Sequence, residues 1–62
     1  MNDLARIAQE RESLNRELAK IRRASMQASE RRDFRTVARL TLEAARINRA
    51  LLDAQTKEQT LR

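Results

Sequence analysis

Arginine is the side chain through which this sequence could do chemistry, and the chemistry it suits is anion binding. Twelve of the fourteen basic residues are arginine, whose guanidinium forms bidentate contacts with phosphate or carboxylate. Residues 16–49 carry ten basic and four acidic side chains, a net +6, in a chain whose formal charge is +5. The cluster predicted to bind nucleic acid or an acidic partner comprises Arg22, Arg23, Arg31, Arg32, Arg35 and Arg39. Nucleic acid, an acidic protein and a merely solvated surface are all open interpretations of this cluster.

Catalysis is not expected from the remaining polar residues. The sequence contains no histidine, cysteine or tyrosine, so the usual general base, thiolate nucleophile and zinc ligands are missing. Its serines have no base beside them, and its carboxylates are not spaced as in a calcium-binding loop. We therefore predict no catalytic residue, no metal site, no cofactor and no small-molecule substrate.

Two apolar stripes of matching spacing predict that the chain folds back on itself. Residues in each half recur in steps of three and four, which is the period of one face of a helix. The first stripe comprises Leu4, Ile7, Arg11, Leu14, Leu18, Ile21, Ser25 and Ala28. The second comprises Val37, Leu40, Ala44, Ile47, Leu51, Ala54, Glu58 and Leu61. Pairing them outward from the middle sets Ala28 opposite Val37, Ser25 opposite Leu40, Ile21 opposite Ala44, Leu18 opposite Ile47 and Leu14 opposite Leu51.

The predicted fold class is all-α, an antiparallel two-helix hairpin that resembles a coiled coil. Glycine and proline are absent, so nothing interrupts helices of about 3–30 and 34–59 around a turn at about 31–33. The nine positions from Ala28 to Val37 rotate the stripe by roughly 180°, so one straight helix would carry its two stripes on opposite sides. A long helix exchanged between two protomers is the alternative.

The helix ends and the ends of the hairpin have their own signals. Asn2 or Asp3 is expected to cap the first helix, and Asp33 the second, by accepting a hydrogen bond from the backbone two or three residues later. Arg11 and Glu58 occupy core positions near the open end, where they are expected to reach each other diagonally. Phe34 is the one aromatic residue; it is expected to cover the turn end, with a binding anchor as the alternative.

The surfaces on the two sides of the seam differ in composition. One side carries mainly alanine, asparagine, threonine and a few larger apolar residues, with Glu12 and Arg22 as its charges, whereas the other side is densely charged. An uncharged face of this extent predicts an interface. The predicted interface residues are Ala19, Met26, Ala38, Thr41, Leu42, Ala45, Asn48 and Leu52.

Packing two such faces together would form a four-helix bundle. Asn15 and Asn48 fall opposite each other on this side, where buried asparagines specify register or oligomer number. The partner is expected to be a second copy, giving a homodimer, or else a helix of another protein. Alanine can also reflect helix propensity on a solvated surface, and this alternative stays open.

The segment from Asp33 to Leu40, with Met26 and Ala28 upstream, resembles the UVR motif. That motif is a helical hairpin of excision-repair and protease-adaptor proteins, in which an Asp-Phe pair opens the second helix. The resemblance implies protein–protein docking by a paired hairpin. This chain has Thr41 and Leu42 where the family usually continues with Arg-Asp. The overall plan is also similar to small hairpin-dimer regulators, and the stretch from Arg32 to Leu40 to helical segments of phage small terminase subunits.

These observations predict a non-enzymatic helical interaction module, such as an adaptor, chaperone, inhibitor or assembly factor. The alternative is a basic nucleic-acid-binding accessory protein of phage or plasmid type, with phosphate contacts from the arginine-rich turn end. No apolar run approaches the length of a membrane span, so no membrane partner and a cytoplasmic location are expected.

Overall fold

The chain forms two antiparallel helices in a computed structural model that describes residues 3–61. The helix α1 spans Asp3–Glu30 and α2 spans Phe34–Leu61. The pair measures 47 × 14 × 11 Å along its principal axes, as expected for two helices of 28 residues lying side by side, since such a helix is about 42 Å long. The predicted all-α helical hairpin is thus confirmed. Asn2, one of the two predicted caps, lies outside the described residues.

The turn closes α1 with a left-handed residue. Arg32 has a φ of 61°. Its amide donates to the carbonyl of Ser29 at 3.0 Å, and the amide of Asp33 donates to that of Ala28 at 2.9 Å. This pair of bonds is the Schellman motif, which satisfies carbonyls that a helix end would otherwise leave unpaired. The chain reverses here without the glycine that usually occupies the left-handed position.

Asp33 begins α2 as its N-cap, as predicted. The Asp33 carboxylate accepts hydrogen bonds from the Thr36 amide at 3.3 Å and from the Thr36 hydroxyl at 2.6 Å. These two bonds, and then the nearby charges of Arg31 and Arg39, hold the pKa of Asp33 below its ordinary value. The cap therefore satisfies one free amide of the helix and places a negative charge at the positive end of its dipole.

The core is a narrow seam between the helices, and it follows the two predicted stripes. Its buried residues are Ile7, Leu18, Ile21, Ala28, Leu40 and Ala54, each of which retains 3–9% exposure. Leu14, Ser25, Val37, Ala44, Ile47 and Leu51 lie half-buried between them. At the open end, Leu4 and Leu61 are 38% and 49% exposed. One layer of side chains thus holds the hairpin together.

A charged pair takes the place of an apolar contact near the open end. Arg11 Nη1 donates to Glu58 Oε2 at 2.6 Å. The Glu58 side chain is only 14% exposed, whereas that of Arg11 is 40% exposed. The prediction that these two core-position residues reach each other is therefore confirmed.

Candidate interaction surfaces

The side of the hairpin that the sequence predicts to be an interface is exposed to solvent in the structure. Its residues lie beside the seam on both helices, and we call this surface the small-residue face: Ala5, Ala8, Glu12, Asn15, Ala19, Arg22 and Met26 on α1, and Ala38, Thr41, Ala45, Asn48 and Leu52 on α2. All of them are exposed. The large apolar side chains among them are Met26 at 66% and Leu52 at 62% exposed. The face is thus a flat, largely uncharged surface with two protruding apolar side chains.

A groove lies on the small-residue face, on the open-end side of its middle. It is lined by Arg11, Asn15, Asn48, Leu51, Leu52 and Gln55. The structure thereby brings Asn15 and Asn48, which lie on different helices, to one site. Neither side-chain amide has a hydrogen-bond partner within residues 3–61, so both amides are available to an incoming group.

Two of the predicted interface residues are less central than the sequence suggested. Leu42 is 67% exposed, but helical register places it on the outer edge of α2, about 40° beyond Ala38 and further still from Ala45 and Leu52. The Thr41 hydroxyl donates to the Val37 carbonyl at 2.8 Å, so its proton is already used within α2. We therefore expect Leu52 to contribute more to any interface here than Leu42.

Phe34 does not cover the turn, so the first interpretation of this residue is wrong. Its side chain is 64% exposed because it is the first residue of α2, and α1 has already ended at Glu30. Residues 3–61 contain no further helix that could cover it. By register it shares the small-residue face with Met26 and Ala38, so it extends the apolar part of that face to the turn end.

The six predicted anion-binding arginines surround the turn end of the hairpin. All six are exposed. The ion pairs within residues 3–61 are Arg6–Asp3 and Arg11–Glu58, and both lie toward the open end.

The six side chains do not share one direction. By register Arg22 belongs to the small-residue face, Arg39 to the opposite face, and Arg23 and Arg35 to the outer edges. The structure therefore gathers the arginines at one end but does not line them up into a stripe.

The charged face carries a groove of its own at the open end. It is lined by Asp3, Arg6, Ile7, Glu10, Thr56, Lys57, Thr60 and Leu61. Arg6 Nη2 pairs with Asp3 Oδ1 at 3.2 Å beside it, and both side chains are more than half exposed. Within residues 3–61 no cluster of three or more histidine, cysteine or acidic residues is placed to hold a metal ion. This groove therefore brings acidic and basic side chains together at the open end.

Comparison with known proteins found no match, so a function has to be argued from the two surfaces. No family model, curated protein or solved structure matches the chain. The resemblance of residues 33–40 to the UVR motif consequently stays a prediction. Over residues 3–61, neither helix is sufficiently long and apolar to cross a membrane.

Proposed function

We propose that the chain is a non-enzymatic helical interaction module that associates through its small-residue face. The observation that carries this proposal is the exposure of Met26, Phe34 and Leu52, at 66%, 64% and 62%, on one side of a hairpin whose other side is charged. Burial of such a side chain is favourable by about 1.5–3 kcal/mol of free energy. An adaptor, a small chaperone, an inhibitor or an assembly factor would use such a face in the same way.

The thinness of the core supports the same proposal. A small hairpin buries a smaller fraction of its surface than a larger domain does, and small folds are often stabilised by a disulfide, a metal or a partner. The sequence has no cysteine or histidine, which removes the first of these and the usual ligands of the second. A partner on the small-residue face would convert the single layer of the seam into the interior of a bundle.

Sedimentation equilibrium over a wide concentration range tests this function. Leu52→Glu would place a carboxylate in the buried interface, and we expect it to weaken association by about tenfold or more. Arg46→Glu is the matched control, because it introduces the same side chain on the charged face and should leave association within about threefold of the parent. Equal effects of the two substitutions, or a monomer that unfolds cooperatively at every concentration, would contradict self-association through this face.

A second candidate function rests on the basic turn end. Six exposed arginines without an ion pair to a carboxylate in residues 3–61 form a surface suited to phosphate. The chain would then be a nucleic-acid-binding accessory protein that uses the hairpin as a scaffold. An acidic protein segment would meet the same surface in the same way.

Fluorescence anisotropy with labelled duplex DNA and structured RNA tests this second candidate. Affinity for nucleic acid must fall steeply as salt rises, because phosphate binding releases counterions. We expect Arg31→Glu combined with Arg35→Glu to abolish binding while sedimentation shows the same oligomer. Arg6→Glu, at the open end, is the control. The absence of any binding at low salt would exclude nucleic acid and leave an acidic protein partner or a merely solvated surface as the interpretations of the turn end.

A further inference from the structure

We propose that the small-residue face is occupied by a second copy of this chain, related by a two-fold axis that crosses both helices at their midpoints. The two turns then lie at opposite ends of a four-helix bundle, and α1 packs antiparallel on the α1 of the partner copy. This inference rests on the proposed self-association and specifies its geometry. Three features of the face point to the same axis.

The two charges of the face are placed symmetrically about residue 17. Glu12 and Arg22 are the charged members of the small-residue face, and both are exposed. They are separated by about 15 Å along α1, at about 1.5 Å per residue, so they cannot pair within one chain. A two-fold axis at the level of residue 17 brings Glu12 of each copy opposite Arg22 of the other. The face is therefore complementary in charge to itself, and the Glu12–Arg22 pair forms twice in the dimer.

The same level on α2 is Asn48. The seam pairs residue 17 with residue 48, in step with the pairs Leu18–Ile47 and Leu14–Leu51. An asparagine amide both donates and accepts hydrogen bonds, so it can pair with its own symmetry copy, which a carboxylate or an ammonium group cannot do. The exposed amide of Asn48, at the edge of the groove nearest the midpoint of α2, is thus a suitable group to lie on a two-fold axis.

The apolar side chains of the face meet small residues under this symmetry. Met26 comes opposite Ala8 of the other copy, and Leu52 comes within one residue of the level of Ala45 of the other copy. Because large side chains face alanine, the two backbones can approach closely without leaving voids. The broad side of one hairpin, 47 × 14 Å between backbone extremes, is comparable with the roughly 800 Å² that each partner buries in a standard interface.

Charge also disfavours the other two-fold arrangement, in which both turns lie at the same end. That bundle would place two arginine clusters side by side, each in a segment of net charge +6 (residues 16–49), and like charges at close range repel. With the turns at opposite ends, each arginine cluster instead lies beside the open end of the other copy. There residues 1–15 carry two basic and three acidic side chains, a net −1.

A charge exchange measured by sedimentation equilibrium tests the axis. Glu12→Arg alone and Arg22→Glu alone each replace two attractive pairs with two repulsive ones, and we expect each to weaken the dimer by roughly tenfold to a hundredfold. The double variant should recover the parent affinity within about threefold. An equimolar mixture of the two single variants should form a heterodimer that is tighter than the homodimer of either variant.

Distances between spin labels give an independent test. The chain has no cysteine, so Glu30→Cys, at the exposed end of α1 and off the small-residue face, provides a single labelling site. Turns at opposite ends predict about 40 Å between the two labels of a dimer, whereas turns at the same end predict less than about 20 Å. Dilution with unlabelled protein should remove the signal, since the distance is intermolecular.

The possible outcomes distinguish failure of the proposed axis from failure of the proposed self-association. Self-association would still hold, but the proposed axis would be wrong, in either of two cases. In the first, the labels at Glu30→Cys in the dimer lie close together. In the second, the mixed single variants fail to associate. A chain that is monomeric by sedimentation overturns both. A long distance together with recovery in the mixture supports the arrangement.

Discussion

Arg32 adopts the left-handed conformation that in most helix ends belongs to glycine. Its φ of 61° brings its Cβ close to a carbonyl oxygen, and the surrounding Schellman bonds hold it there. The left-handed conformation costs a residue other than glycine about 1–2 kcal/mol. Arg32 is also one of the six clustered arginines. The residue therefore adopts an unfavourable left-handed conformation but adds a positive charge to the turn end.

Replacing this residue should therefore stabilise the hairpin. We expect Arg32→Gly to raise the free energy of unfolding by about 1 kcal/mol, because relief of the backbone exceeds the extra entropy of glycine in the unfolded chain. Urea denaturation followed by circular dichroism measures the change. Arg32→Ala removes the same charge but keeps the Cβ. An equal gain from alanine would show that charge repulsion, and not the backbone, limits stability here.

Asp33 gives the turn a dependence on pH. Because the pKa of Asp33 is lowered by its bonds to Thr36 and by Arg31 and Arg39, its contribution to stability is present above the ordinary pKa of the group. That contribution is lost as the pH falls through the depressed value. Asp33→Asn retains a capping group without the charge. We expect the parent to be more stable than Asp33→Asn near neutral pH and the difference to shrink in acid. A difference in melting temperature that stays constant with pH would contradict this role.

The two helices show how far sequence reasoning reaches for an element of this kind. The seam and the Arg11–Glu58 contact follow from the spacing of three and four residues, which largely determines which residues of α1 face which residues of α2. The exposure of Phe34 was missed because the residue was assigned to the core by its aromatic character, whereas its helical register places it on the small-residue face. The Schellman turn was not predictable either, because arginine is not a signal for a left-handed residue. The two surfaces were predicted, but their use was not established.

The charged pair in the seam predicts how the helices respond to an apolar replacement. Glu58 is largely buried and bonded to Arg11, and burying charge has a desolvation cost that the pair only partly offsets. We expect Arg11→Leu combined with Glu58→Leu to leave stability unchanged or to raise it by about 1 kcal/mol, since the two leucines continue the stripe. Arg11→Leu alone removes the guanidinium that Glu58 contacts and should be destabilising. Chemical denaturation of the three proteins provides the comparison.

At the scale of the whole molecule, the proposed association would make stability depend on protein concentration. If the folded hairpin associates and the unfolded chain does not, mass action raises the melting temperature as concentration increases. We expect a rise of several degrees between micromolar and millimolar protein, and a smaller rise for Leu52→Glu. Calorimetry at several concentrations checks this. A melting temperature independent of concentration would indicate that the hairpin is stable without a partner.

The position of the turn also determines the order in which the seam should close during folding. Ala28 and Val37 are separated by only nine positions, and the entropy cost of closing a loop grows with its length. Contacts next to the turn can therefore form first, and each one shortens the loop that the next must close, so the helices zip toward the termini. The open end, where Leu4 and Leu61 remain partly exposed, should then be the first to separate in the native state. Amide hydrogens would exchange fastest there and slowest beside the turn.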